Sequence, residues 1–282
     1  MSTTHQPSGA RHFRALFISD VHLGSKAAQA ELLVDFLRRH DAETIYLVGD
    51  IVDGWRLKRN WHFPQLHNDV VQKILRKARK GSRIIYIPGN HDEFLREFLG
   101  EHFGGIEVKA SHVHETADGR RFLIMHGDEF DVVVRNARLL AYLGDWAYDA
   151  AIAINVVFNT VRRKLGFPYW SFSAWAKLKV KNAVSFIGAF EDALAEEARR
   201  QNCDGVICGH IHHAVIGERA GIEYVNTGDW VESCTAVAER HDGAFELIRW
   251  TELRGPLTAP QDKAAARSRE PEPRPVAIGE AA

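Results

Sequence analysis

Five short runs of β-branched and aliphatic residues each break off into a small cluster of Asp, His, Asn and Gly. The runs are ALFIS (15–19), TIYLV (44–48), RIIYI (83–87), FLIM (122–125) and GVIC (205–208). Each is short and apolar enough to be a buried strand. Leu32, Leu33, Phe36 and Leu37 mark one helical stripe after the first run, and Leu66, Val70, Val71, Ile74, Leu75 and Ala78 mark another after the second. Alternation of strand and helix predicts an α/β layered fold, to which IEYVNTG (222–228) and GAFELIRW (243–250) add further strands.

The polar endings are SDVH (19–22), GD (49–50), GNHD (89–92), HGD (126–128) and GHIH (209–212). Open α/β sheets bind ligands beyond the carboxyl ends of their strands. The five endings therefore bring Asp20, His22, Asp50, Asn90, His126, His210 and His212 to one rim. One Asp-x-His is a common loop; five such endings in order are not. Seven potential ligands exceed what one ion needs. Oxygen donors mixed with imidazole favour manganese, iron or zinc over calcium. Two ions sharing one bridging carboxylate, roughly 3.5–4 Å apart, form a clamp for a phosphoryl group. Gly49, Gly89, Gly127 and Gly209 stand beside the ligands, where the backbone turns tightly and a Cβ would be in the way.

In this order the motifs Asp-x-His, Gly-Asp-x-x-Asp, Gly-Asn-His-Asp, His-Gly-Asp and Gly-His-x-His resemble those of the calcineurin-like metallophosphoesterase superfamily, over residues 20–212. The resemblance implies a four-layer sandwich of two mixed β-sheets flanked by helices. It implies one ion on Asp20, His22, Asp50 and His212, and a second on Asn90, His126 and His210, with Asp50 bridging. His91 would contact a phosphoryl oxygen or protonate the leaving group, oriented by Asp92, and Asp53 would support the loop from behind. Within the superfamily, GDIVDGW (49–55) and the long insert after HGD look most like bacterial UDP-2,3-diacylglucosamine diphosphatases of lipid A synthesis. Where the best-known members carry arginine this chain has His91, and GHIHHAV stands where they have GHTH followed by a basic residue and proline.

The expected reaction is thus metal-dependent hydrolysis of UDP-2,3-diacylglucosamine or a related lipid-linked nucleotide, with two divalent ions, manganese first. A soluble nucleotide or phosphoprotein substrate is the alternative within enzymes. A scaffold that has lost catalysis would have shed ligands, and all seven persist.

Residues 135–190 are too long for a simple connection and read as a helical lid on the main domain of 13–254, the alternative being a packed helical subdomain whose lysines are solvated. Leu139, Leu143, Trp146, Ile152 and Val156 would line an apolar groove. Arg162, Arg163, Lys164, Lys177, Lys179 and Lys181 would meet phosphates or an anionic membrane. Residues 1–12 read as a flexible N-terminus. Residues 255–282, rich in proline, alanine and charge, read as a disordered tail. A formal net charge of −1 over 282 residues gives no global field for nucleic acid. Three cysteines without metal-type spacing and the lack of an apolar leader point to a cytoplasmic protein, and the lid reading would place it peripherally at the inner face of the cytoplasmic membrane. The oligomeric state is not assigned. His62, His67, His102, His112, His114 and His241 have no partner spacing and read as surface or cap residues.

Overall fold

The computed structural model describes residues 10–130 and 173–254, with side chains described for 10–130 and 187–253. The expected flexible N-terminus, the tail and most of the insert at 135–190 lie outside these residues.

Strand β1 (Arg11–Ile18) leads through helix α1 (Ala30–Arg39) into β2 (His40–Val48). The short α2 (Gly54–Arg59) and longer α3 (Gln65–Arg79) lead to β3 (Arg83–Ile87). A 3-10 turn (Glu93–Phe98) precedes β4 (His102–Phe103), β5 (Ile106–Val108), β6 (His112–Glu115) and β7 (Arg121–Ile124). Helix α4 (Ser173–Arg200), which begins within the insert, is followed by β8 (Gly205–Cys208), β9 (Val215–Arg219), β10 (Ile222–Asn226), β11 (Thr235–Glu239), β12 (Phe245–Arg249) and the short α5 (Trp250–Arg254).

The strands form two mixed sheets. One has seven strands in the order β12-β11-β1-β2-β3-β5-β4, and the other has five in the order β6-β7-β8-β10-β9. Strand β1 runs parallel to β2 and β2 to β3, while β7 runs parallel to β8. All five motif-bearing strands are thus interior to their sheets, and each ends beside a parallel neighbour that carries a motif as well.

Side-chain alternation along these strands divides the core into three clusters, one for each interface of a four-layer stack. Phe17, Tyr46, Val48, Ile85 and Ile87 of the larger sheet meet Phe122, Ile124, Ile207 and Val225 of the smaller one. The opposite face of the larger sheet, with Leu16, Ile45, Leu47 and Ile84, packs on Leu33, Phe36, Val70 and Ile74 of α1 and α3. The outer face of the smaller sheet, with Leu123, Val206 and Cys208, packs on Phe190, Leu194 and Ala198 of α4. Each such side chain contributes about 1.5–3 kcal/mol on burial, so strand period fixes the layer order.

Two expectations are corrected. Leu66 and Val71, assigned to the inner stripe of α3, are 42% and 36% exposed, and the helix instead buries His67 and Lys77 beside Val70 and Ile74. The Lys77 ammonium is satisfied by the His40 carbonyl and the Asp41 carboxylate. His67 and His114 are buried rather than superficial. His67 Nδ1 accepts from the Gly24 amide at 3.0 Å, which fixes the turn behind His22. Among the described residues no helix is long and apolar enough to cross a membrane.

His114 belongs to a polar strut between the sheets. The fully buried Glu239 on β11 accepts from His114 Nε2 at 2.7 Å, Arg14 Nη1 at 2.7 Å and the Ala117 amide at 2.8 Å. Tyr46 Oη lies 3.0 Å from His114 Nδ1 and donates to it. Burial works to raise the Glu239 pKa, but the His114, Ala117 and Arg14 hydrogen bonds outweigh it and leave the carboxyl below its ordinary value. A depressed carboxyl stabilises the fold above the unfolded-state pKa, and that contribution is lost as pH falls through the folded value. Glu239→Ala is expected to lower stability in urea unfolding at neutral pH by about 2–4 kcal/mol, discounted for the partial exposure of Arg14. The deficit relative to the parent chain should shrink on acidification.

Candidate metal centre

The loops leaving β1, β2 and β8 adopt a backbone that side chains seldom tolerate. Asp20, His22, Asp50, His210 and His212 have φ of 51°, 53°, 55°, 70° and 53°, in the left-handed region. They are five of eight non-glycine residues in that state among the described residues. Each costs of order 1 kcal/mol or more and persists only where surroundings over-determine it. The Asp20 amide donates to Gly49 O at 3.0 Å, His22 to Asp50 O at 2.8 Å, and Leu23 to Ile51 O at 2.9 Å. These bonds continue the β1–β2 pairing past the strand ends and hold the two loops together. Glycine is needed for close approach: a Cβ on Gly49, itself at φ 76°, would lie 2.2 Å from His126 Nδ1, and one on Gly209 would lie 2.4 Å from Asp20 Oδ2.

The side chains so placed form three overlapping groups whose donor atoms lie within 4.8 Å of one another: Asp20, His22 and His212; His22, Asp50 and His91; Asp50, His126 and His210. His22 is shared by the first and second groups, and Asp50, 2% exposed, by the second and third. Its Oδ1 accepts from the His91 amide at 2.8 Å. Its Oδ2 lies 3.4 Å from His126 Nε2, 3.9 Å from His22 Nε2 and 4.0 Å from His91 Nε2. Asp20 Oδ2 accepts from the His210 amide at 3.0 Å, while Oδ1 lies 3.2 Å from His212 Nε2.

Three buried atoms here have no hydrogen-bond partner among the described residues: Asp20 Oδ1, Asn90 Oδ1 and His126 Nε2. The approaches of the first to His212 and the third to Asp50 are ion-pair distances without hydrogen-bond alignment. His126 Nδ1 donates to the Val48 carbonyl at 2.9 Å, so in the neutral ring the lone pair sits on Nε2. A backbone carbonyl on one imidazole nitrogen is the usual way to orient the other for a metal. Unpartnered buried oxygen and nitrogen donors around a buried carboxylate fit divalent cations.

Charge balance agrees. Burial works against a protonated His126, but Asp50 outweighs it and lifts the imidazole to about 10. Burial likewise opposes charge on Asp50, yet His126 beside it holds the carboxyl far below its ordinary range. Burial lowers His22 against the pull of Asp20 and Asp50, whereas the Asp20 carboxylate beside it raises His212 despite burial. The carboxylates thus draw protons onto His126 and His212, a charge-balancing role that divalent cations can take over.

Asp92, expected to orient His91, does not touch its ring. Consecutive side chains diverge, and the buried Asp92 carboxylate accepts from Tyr86 Oη at 2.5 Å, the Gly89 amide at 2.6 Å and the Ile51 amide at 2.8 Å. It ties the GNHD loop to the loop of Asp50. The partner of His91 is Asp53, with Oδ1 3.0 Å from Nδ1. The same oxygen caps α2 through the Arg56 amide at 2.9 Å. Trp55 lies against the His91 ring at 4.3 Å between centroids.

Tyr86 was missed because a tyrosine within an apolar run reads as core. Asn226 holds the GHIH loop, donating to the Gly209 carbonyl at 2.8 Å, and Asp229 caps its own turn at Val231 and Glu232. Trp146, Arg162, Arg163 and Lys164 lie outside the described residues. Lys177 and Lys181 fall within α4, but their side chains lie outside them.

The profile of the calcineurin-like phosphoesterase family matches residues 13–214. Among curated relatives, a UDP-2,3-diacylglucosamine hydrolase of Aliivibrio fischeri is 32% identical over 251 residues, covering 82% of this chain and 96% of that protein. The protein of the same name from Psychromonas ingrahamii is 23% identical, covering 84% and 97%. That from Neisseria meningitidis serogroup A is 27% identical, covering 77% and 89%.

Ligand imidazoles must be neutral to coordinate. With His126 raised to about 10, cation uptake near neutral pH displaces its proton, and affinity climbs with pH below that value. Calorimetric titration of Mn²⁺ in buffers of different ionisation enthalpy should show release of at least one proton per chain. A buffer-independent heat would contradict this electrostatic picture.

Proposed function

Because the chain belongs to the calcineurin-like phosphoesterase family, we propose that its rim is a dinuclear hydrolytic centre acting on UDP-2,3-diacylglucosamine or a related lipid-linked nucleotide. The observation that carries the hydrolytic reading is the Asp50 carboxylate, buried among His22, His91 and His126, with the lone pair of His126 Nε2 unsatisfied.

Asp20, His22, Asp50 and His212 hold one divalent ion in this reading, and Asn90, His126, His210 and Asp50 the other. Manganese fits the mixed oxygen and imidazole set, with iron or zinc as alternatives. Bound ions supply Lewis acidity and neutralise charge on the phosphoryl oxygens.

The protein's own contribution is orientation. Hydrolysis breaks a P–O bond, adds a water oxygen to phosphorus and delivers a proton to the leaving oxygen. Asp53 grips His91 Nδ1 and leaves Nε2 facing Asp50, where a phosphoryl or leaving oxygen would lie. Trp55 against the ring limits its swing. Asp92 and Tyr86 keep the loops of Asp50 and Asn90 in register.

The substrate reading draws on relatives named for UDP-2,3-diacylglucosamine hydrolysis that match over most of their length. In the same reading residues 135–190 form a lid. Trp146 would contact acyl chains, and Arg162, Arg163, Lys164, Lys177 and Lys181 phosphates or anionic lipid, with the enzyme working at the inner face of the cytoplasmic membrane.

His91→Ala is expected to keep both ions and lose hydrolysis rate by roughly 10²–10⁴-fold. The loss should be greater on UDP-2,3-diacylglucosamine than on bis(4-nitrophenyl) phosphate, whose leaving group needs little protonation. Loss of bound metal in this variant would remove His91 from the proposed role. No turnover of the lipid nucleotide by the Mn²⁺-loaded parent chain would refute the substrate.

A further inference from the structure

Between Gly54 and Pro64 the sequence GWRLKRNWHFP contains three cationic residues and no acidic one. Arg56, Lys58 and Arg59 are all exposed. Lys58 and Arg59 make no ion pair with any described residue, whereas Arg56 reaches Asp53 at 3.3 Å. Trp61 is 76% exposed, more than any other large apolar side chain described, and Trp55 is 42% exposed. Phe63 packs against the core and the Trp61 ring stands 6.1 Å from it. The turn after α2 is thus anchored by one aromatic and presents the other to solvent.

Burial of a solitary indole gains from apolar contact on the ring and hydration at the N–H, which is the environment of a lipid headgroup region. Unpaired Lys and Arg beside it are complementary to an anionic leaflet, and their stems can lie along the apolar layer while their heads stay hydrated. A nucleic acid would be met by basic residues just as well, but an exposed tryptophan standing among three cations at one short turn favours a bilayer. With a net charge of −1, the whole molecule exerts no such attraction, so a local patch has to supply it.

We propose that α2 and the turn after it, residues 54–63, dock on an anionic lipid surface. The helix begins at the wall of the metal centre: the Gly54 amide donates to the His91 carbonyl at 2.9 Å, and Trp55 lies on the His91 ring. Docking through this segment holds the mouth of the centre close to the bilayer. This segment is distinct in sequence from the insert at 135–190, and its use in catalysis, though not its binding, rests on the lipid-linked substrate proposed above.

The test is flotation of the full chain with vesicles of phosphatidylglycerol mixed with phosphatidylcholine, and of phosphatidylcholine alone, at low and high salt. The parent chain should float with the anionic vesicles only, and less at high salt. Lys58→Glu/Arg59→Glu should weaken partitioning by at least about 25-fold, on the order of fivefold per charge. Trp61→Ala should weaken it as well. Both variants should hydrolyse soluble bis(4-nitrophenyl) phosphate as the parent does, which shows that they are folded. A parent chain that stays in solution overturns the proposal, and so do variants that float like the parent, or equal flotation on neutral vesicles. Absence of hydrolysis in every protein with partitioning as described would count against the proposed reaction and leave the docking surface standing.

Discussion

A single buried carboxylate sets the demands on the rest of the molecule. Asp50 is almost fully enclosed, with one oxygen engaged by the His91 amide and the other facing three imidazole nitrogens at 3.4–4.0 Å. An unpaired charge at such depth would be strongly destabilising. It is tolerable because cationic charge can be gathered around it, as imidazolium or as bound metal. His126 comes from the smaller sheet and His22 from the larger, so the carboxylate also joins the two halves of the sandwich. The flush ends of parallel strands in both sheets are what let these side chains converge.

Convergence stores strain in the backbone and relieves it through hydrogen bonds. Five of the rim residues sit at positive φ, which aims side chains inward that an extended chain would send to either face. The loops are held there by main-chain bonds between the β1 and β2 exits, by Asp92 with Tyr86 beneath the GNHD turn, by Asn226 beneath GHIH and by His67 behind Gly24. The donors are therefore held in place by the chain's own hydrogen bonds. Such preorganisation lowers the ordering required on binding.

Much of this was legible in the sequence because strand burial and strand ending are local signals. The five apolar runs all proved to be strands, and Asp20, His22, Asp50, His126, His210 and His212 after them fall in overlapping groups. Helix faces were less legible: a stripe rule placed Leu66 and Val71 inside α3, whereas the pairing of Lys77 with the His40 carbonyl and Asp41 rotates a basic residue inward. The Asp92 partner of His91, implied by the family resemblance, is replaced by Asp53, which arrives from another loop. Glu239 and His114 gave no signal at all. Their strut is a contact between strands 125 residues apart, and neither residue carries a local pattern. The short β4, β5, β6, β9 and β11 were likewise silent, since their pairing partners determine them more than their own propensity does.

The account stands or falls on two cations sharing Asp50. Anomalous X-ray diffraction from crystals of the full chain grown with Mn²⁺ locates bound ions directly. It should show two peaks flanking the Asp50 carboxylate, one beside Asp20, His22 and His212 and the other beside Asn90, His126 and His210. A single peak, or ions bound away from Asp50, would contradict it.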